Sequence, residues 1–216
     1  LINAVIFDMD GVIVDSEPFW QKAEREVFTS LGVEITDELR RITQRMTTNE
    51  VTRFWFKRNP WKNKGIEEVE NMVIDRVIEL IELENCLIPG VVDTIKELKS
   101  RGVKLALATN SPYRIIPKVL NKMNIIKDFE TISSAEFEKK GKPEPYIYLS
   151  TLQKLNEKAD NCIVIEDSNS GIIAANKAGI KVIAFTNGGK NLITENFDFK
   201  IPSFENVDYT IFESVK

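Results

Sequence analysis

The chain has 216 residues, 43% of them hydrophobic, and a formal net charge of −4 with both signs interspersed; that is room for one large domain or two unequal ones, and it marks no nucleic-acid or membrane-surface partner. It contains no histidine, and its two cysteines, Cys86 and Cys162, lie at no metal-ligand spacing, which excludes serine–histidine and cysteine–histidine machinery and leaves acid–base work to carboxylates, Lys or Tyr. No apolar run approaches the roughly eighteen residues of a transmembrane helix, and the opening Leu1-Ile2-Asn3 is not the start of a secretory leader, so a cytoplasmic protein with two buried thiols is expected.

Residues 3–8 read as a short, continuously apolar strand, buried on both faces, that runs straight into Asp8, Asp10 and Gly11. Residues 19–31 then place Trp20, Ala23, Val27 and Leu31 on one helical face, with Gly32 as the stop. Residues 67–84 repeat the pattern with Val69, Met72, Val73, Val77, Leu80 and Ile81. The whole stretch from 17 to 86 reads as helical, the aromatic run "RFWFKRNPW" included. Core packing is expected for two of its three tryptophans, Trp20, Trp55 and Trp61.

After Pro89-Gly90 the pattern alternates. A helix at 91–100 precedes a strand at 103–109, and a helix at 112–123 precedes a weaker strand near 129–133. A helix at 144–155 leads to a strand at 162–167, and a helix at 171–178 leads to a strand at 181–185. A last short strand is expected at "YTIF", 209–212. Such alternation means strands joined by right-handed crossovers, a doubly wound, mostly parallel α/β sheet. The all-helical block is then an insertion after the first strand, giving a core of 1–16 and 88–216 and a cap domain of 17–87.

Ligands of open parallel sheets bind beyond the carboxyl ends of the strands. Those ends carry Asp8, then Thr109-Asn110-Ser111, then Glu166-Asp167, and Lys142 sits in the loop "KKGKPEP" before a helix. Asp8, Asp10 and Asp167 brought together repel, each pair by roughly 4 kcal/mol at about 4 Å and an effective dielectric of about 20. A divalent cation offsets that, and oxygen-only ligands point to a hard ion such as Mg²⁺. A cation beside Thr109, Lys142 and loop amides makes a receptacle for a phosphoryl group. Neither GxxxxGK[ST] nor GxGxxG is present, and "TNGGK" at 186–190 reads as a turn, so nucleotide binding is unsupported. A metal-held carboxylate can attack phosphorus, and Asp8 is placed for it. Asp10, two residues on, can protonate the leaving oxygen and later deprotonate the attacking water.

The segments "DMDG", "TNS", "GKPEP" and "EDSNSGIIAANKAG", in this order, resemble the four motifs of the haloacid dehalogenase-like (HAD) superfamily of phosphohydrolases, and the likeness spans essentially the whole chain. The resemblance implies a Rossmann-like sheet with an α-helical cap of the C1 type. It implies Asp8 as nucleophile and Asp10 as acid and base. Thr109 and the amide of Asn110, with Ser111 beside them, would hold phosphate, and Lys142 would stabilise charge on the nucleophile and phosphoryl group. Mg²⁺ would be bound by Asp8, the Asp10 carbonyl and Asp167, with Glu166 supporting and Ser168 contributing through its backbone.

Members of the superfamily that cleave carbon–halogen bonds lack the second Asp of the first motif; Asp10 is present here, which favours phosphoryl transfer. "DSEPFW", "FWFKRNPW" and "TNSPYRIIPKVL" are similar to bacterial phosphatases of the 2-deoxyglucose-6-phosphate or hexitol-phosphate type. The likeness implies a Mg²⁺-dependent phosphatase, acting as a monomer on a small phosphorylated sugar or polyol through an aspartyl phosphate. β-Phosphoglucomutases share the opening motif, but there a histidine follows it, where this chain has Trp20. A phospho-receiver signalling module also joins acids, a Thr/Ser and a Lys on a parallel sheet, but its acceptor Asp lies mid-chain and no helical insertion follows its first strand. Glu17 and Arg45 of the cap are candidate contacts to the rest of the substrate. The cap is expected to act as a lid about hinges near 14–18 and 85–90.

Overall fold

The computed structural model describes residues 2–43, 46–189, 192 and 194–213. Strand β1 (Ala4–Phe7) is buried along its whole length, as an apolar tetrapeptide with no polar face must be. The chain then leaves the sheet for helices α1 (Glu17–Ser30), α2 (Asp37–Thr43), α3 (Thr48–Arg58) and α4 (Ile66–Leu83). It continues through α5 (Val91–Ser100), β2 (Lys104–Thr109), α6 (Ile116–Lys122), β3 (Thr131–Ser134) and α7 (Tyr146–Leu155). The last elements are β4 (Cys162–Glu166), α8 (Asn169–Lys177), β5 (Lys181–Phe185) and β6 (Phe199–Ile201).

Among the described residues six strands form one sheet in the order β3-β2-β1-β4-β5-β6, and every neighbouring pair is parallel. This is the doubly wound, Rossmann-like α/β arrangement. Phe7 at the end of β1 is level with Leu107 of β2 and Ile165 of β4. The next residue of each chain segment, Asp8, Ala108 and Glu166, therefore arrives at the same edge. From β1 the chain winds outward in both directions, so the switch point lies between β1 and β4, where open α/β sheets bind ligands.

The chain divides into two compact units, one running up to Asp15 and resuming at Cys86, the other Ser16–Asn85. The sequence reading places these borders at 16/17 and 87/88. The shift has a cause in the connectors. Val14 bridges Leu87, the Asp15 N–H donates to the Cys86 carbonyl at 2.8 Å, and the Ile88 N–H donates to the Ile13 carbonyl at 3.1 Å. Both connectors are thereby paired within the sheet-bearing unit. No described helix is long and apolar enough to cross a membrane, and Cys86 and Cys162 are buried thiols.

In the helical unit α4 packs against both α1 and α3. Its core is aromatic: the Phe28 ring lies 6.1 Å from Trp55 and 6.0 Å from Trp61. Trp55 and Trp61 are buried and Trp20 only partly so. Helix α3 starts on a capping box, in which Thr47 Oγ1 accepts from the Glu50 N–H at 3.3 Å and Glu50 Oε2 accepts from the Thr47 N–H at 2.8 Å.

One expected strand is not there. Tyr209–Phe212 forms a 3₁₀ turn. Asp208 Oδ1 accepts from both the N–H and the hydroxyl of Thr210, at 3.0 and 2.7 Å, and such side-chain capture closes a turn instead of extending a strand. The sixth strand is Phe199–Ile201, paired with β5.

Glu24 on α1 is mostly enclosed. Burial first, and the Glu17 charge second, lift its carboxyl to about 7, with Arg40 opposing. The folded protein holds this proton up to about 7, whereas the unfolded chain releases it near 4.5. The native state binds more protons in that window, so stability falls as pH rises through it. Glu24→Gln removes this component. Urea melts between about pH 5 and about pH 8 are expected to show the variant gaining on the wild type as pH rises; parallel profiles contradict the reading.

Candidate active site

Asp8 is the first residue beyond β1, and its N–H still donates to the Ile165 carbonyl of β4 at 3.0 Å. Its side chain is buried, and Lys142 reaches it from the loop before α7: Nζ donates to Asp8 Oδ1 at 2.6 Å, to Glu166 Oε1 at 2.7 Å and to the Ala108 carbonyl at 2.8 Å. All three ammonium protons are thus used. The Lys142 side chain is 3% exposed and that of Glu166 is 0% exposed, so both charges are dry. Burial alone pulls the Lys142 pKa down, but the carboxylates of Asp8 and Glu166 more than offset this and hold it well above its ordinary value. Lys142 is a fixed cation.

Glu166 is saturated. Oε1 accepts from Lys142 and, at 2.9 Å, from the Tyr148 hydroxyl. Oε2 accepts from the N–H groups of Asp167 and Ser168 at 3.0 and 3.1 Å and from Ser168 Oγ at 2.9 Å. Five donors meet the roughly four lone-pair sites of one carboxylate. Burial, and then the Glu166 charge, push the Tyr148 phenol well above its ordinary value, so its hydroxyl stays a donor. Ser168 also caps α8, its Oγ accepting from the Gly171 N–H at 3.0 Å. Gly171 is where α8 comes closest: a Cβ there would lie 1.7 Å from Glu166 Oε1.

Asp10 lies two residues further along. Gly11, at φ 81°, reverses the chain, and its N–H donates to the Val14 carbonyl at 2.6 Å; a left-handed residue is needed there, which explains glycine after the second acid. Asp10 Oδ2 accepts from Ser111 Oγ at 2.6 Å and Thr109 Oγ1 at 3.1 Å. The two hydroxyls at the end of β2 therefore face this carboxylate. The Asn110 side chain is engaged elsewhere: Oδ1 accepts from the Lys142 N–H at 2.9 Å and Nδ2 donates to the Lys142 carbonyl at 3.4 Å. It clamps the lysine loop to the end of β2.

The core residues singled out from sequence, Asp8, Asp10, Thr109, Asn110, Ser111, Lys142, Glu166 and Asp167, thus meet at one sheet edge. Glu17 belongs to the helical unit, where it accepts from Gln21 Nε2 at 2.8 Å and lies 3.8 Å from the Arg40 guanidinium. Arg45 lies outside the described residues. Tyr148 is the participant that sequence reading missed. It sits in "YIYL", where an aromatic at the apolar spacing of a helix reads as core; its only signal is its position six residues after Lys142 in the same loop-to-helix segment.

Carboxylate oxygens of Asp8, Glu166 and Asp167 lie within 4.8 Å of one another, and all three residues are buried. Burial, against the pull of Lys142, lifts the Asp8 carboxyl well above its usual range, and the charges of Glu166, Asp167 and Asp10 add to this. One ammonium does not balance four carboxylates. An all-oxygen donor set with surplus negative charge and neither His nor Cys fits a hard divalent cation. With Glu166 saturated, Asp8 and Asp167 are the members of this group that could hold such an ion.

Residues 2–179 match the family described as haloacid dehalogenase-like hydrolase. The chain is 38% identical over 184 residues to hexitol phosphatase B of Escherichia coli K12, covering 84% of this chain and 82% of that one. It is 36% identical over 199 residues to a phosphorylated carbohydrates phosphatase of Thermotoga maritima, covering 89% and 90%. Among solved structures, a β-phosphoglucomutase from Clostridium difficile superposes with a TM-score of 0.81 at 26% identity, covering 99% of this chain and 96% of that one.

Gly→Ala inside a helix ordinarily stabilises by up to about 1 kcal/mol. At Gly171 the new Cβ would displace the Glu166 carboxylate from Lys142 and Tyr148. Gly171→Ala is therefore expected to cost about 3 kcal/mol in urea unfolding, the scale of breaking a buried ion pair. A variant as stable as the wild type contradicts this packing.

Proposed function

Because the chain belongs to the haloacid dehalogenase-like hydrolases, we propose that it is a phosphoric monoester hydrolase for a small phosphorylated sugar or polyol, with Asp8 as nucleophile. The observation that carries the site assignment is the Lys142 ammonium held 2.6 Å from Asp8 Oδ1 at the carboxyl edge of the sheet. The substrate class is supported by the likeness to hexitol phosphatase B and to the carbohydrate phosphatase.

In this reading Lys142 fixes one oxygen of Asp8 and leaves Oδ2 to attack phosphorus, forming the aspartyl phosphate as the alkoxide leaves. Asp10 gives its proton to the departing oxygen and takes one from the water that then hydrolyses the acyl phosphate. Ser111, which holds Asp10 by its hydroxyl, keeps that carboxyl aimed, while the single Thr109 hydroxyl proton turns from Asp10 to a phosphoryl oxygen and the Asn110 backbone N–H receives another. Mg²⁺ would be held by Asp8, Asp167 and the Asp10 carbonyl with Glu166 behind them, and when bound it would keep Asp8 ionised and neutralise the phosphoryl oxygens. Glu17 is the proposed cap contact to the leaving group.

A phosphate-release assay over a panel of sugar and polyol phosphates tests this. Turnover is expected with Mg²⁺ and not with excess chelator. Asp8→Asn is expected to lose roughly 10⁴-fold in kcat and Asp10→Asn about 10²–10⁴-fold. Retained turnover in Asp8→Asn overturns the mechanism. The likeness to a β-phosphoglucomutase supports a second reading, in which a hexose 1-phosphate becomes the 6-phosphate with no net phosphate release; the same assay separates the two.

A further inference from the structure

We propose that Tyr148 is a positioning residue for phosphoryl transfer, setting how Lys142 divides its hold between Asp8 and Glu166; this rests on the phosphatase reading above. Tyr148 is in the first turn of α7 and is fully buried. It touches the ion triad twice. Its hydroxyl donates to Glu166 Oε1 at 2.9 Å, the same oxygen that Lys142 approaches at 2.7 Å. Its ring lies 4.9 Å below the Lys142 ammonium, within cation–π range.

Both contacts bear on one distance. Lys142 is shared between two carboxylates, one of them Asp8. The phenol donor partly satisfies Glu166 Oε1 and so weakens that oxygen's claim on the ammonium. The ring adds a second, cation–π attraction to the same ammonium. Removing the hydroxyl strengthens the pull of Glu166 and draws Lys142 off Asp8, where it is needed to orient the attacking carboxylate. The other three donors to Glu166 all bind Oε2, so the phenol is the one group that shares Oε1 with Lys142 among the described residues. Tyr148 does not reach the Asp10, Thr109 and Ser111 cluster through any hydrogen bond among the described residues, so its effect is expected on the nucleophile and not on substrate affinity.

The experiment compares kcat, KM and thermal stability of wild type, Tyr148→Phe and Tyr148→Leu with the best sugar phosphate of the panel. Tyr148→Phe keeps the ring and is expected to fold, to lose about tenfold in kcat and to keep KM within about twofold. Tyr148→Leu removes ring and hydroxyl and is expected to lose more. Tyr148→Phe with wild-type kcat, or with a raised KM and unchanged kcat, overturns the inference and leaves the phosphatase reading standing. A wild type without turnover overturns both.

Discussion

A lysine ammonium almost wholly buried at the end of the sheet governs this site. Lys142 is buried with all three protons committed to Asp8, Glu166 and the Ala108 carbonyl. Desolvating such a group costs several kcal/mol, and well-packed apolar residues in its place would generally be no less stable. The arrangement is therefore poorly explained as a stabilising device and well explained as a means of holding one carboxylate in a fixed direction. Around it, the other residues act as supports. Asn110 clamps the lysine backbone, Ser168 and two backbone amides hold Glu166, and Gly171 leaves the space in which Glu166 sits.

The fold makes this arrangement reachable from separate parts of the chain. Parallel strands end at the same edge, so β1, β2 and β4 bring Asp8, Thr109 and Glu166 together without any long loop. The central place of β1, with neighbours on both sides, fixes Asp8 more firmly than an edge strand could. Two residues on, Asp10 meets the hydroxyls at the end of β2 just before the chain turns at Gly11. The two carboxylates stand in different surroundings: Asp8 against a cation in a dry site, Asp10 against two neutral hydroxyls. The proposed roles of nucleophile for Asp8 and proton carrier for Asp10 need that difference.

Much of this could be read from sequence. An apolar run that ends in Asp8, and others that end in Thr109 and Glu166, declare both the strand and the position of its polar residue, because a parallel sheet fixes where strand ends lie. The helical insertion was visible in the change of hydrophobic period between Phe7 and Pro89. What stayed hidden depends on side-chain direction. The sequence marks Thr109 and Ser111 as polar residues at a strand end, but not that their hydroxyls face Asp10. Tyr148 has the pattern of a core aromatic, and only the fold shows its hydroxyl on Glu166. Phe199–Ile201 is too short a strand to stand out beside Pro202, while Tyr209–Phe212 has the composition of a strand but is closed into a turn by Asp208. Local capture and long-range pairing decided these two segments, and neither is encoded in apolar spacing.

The account depends on a covalent bond between Asp8 and phosphorus during each cycle. The direct measurement is to quench the protein in acid during turnover of its preferred phosphate ester and map the phosphorylated peptide. The account predicts a phosphoryl group on Asp8. A phosphoryl group on another residue, or none at any time during turnover, contradicts it.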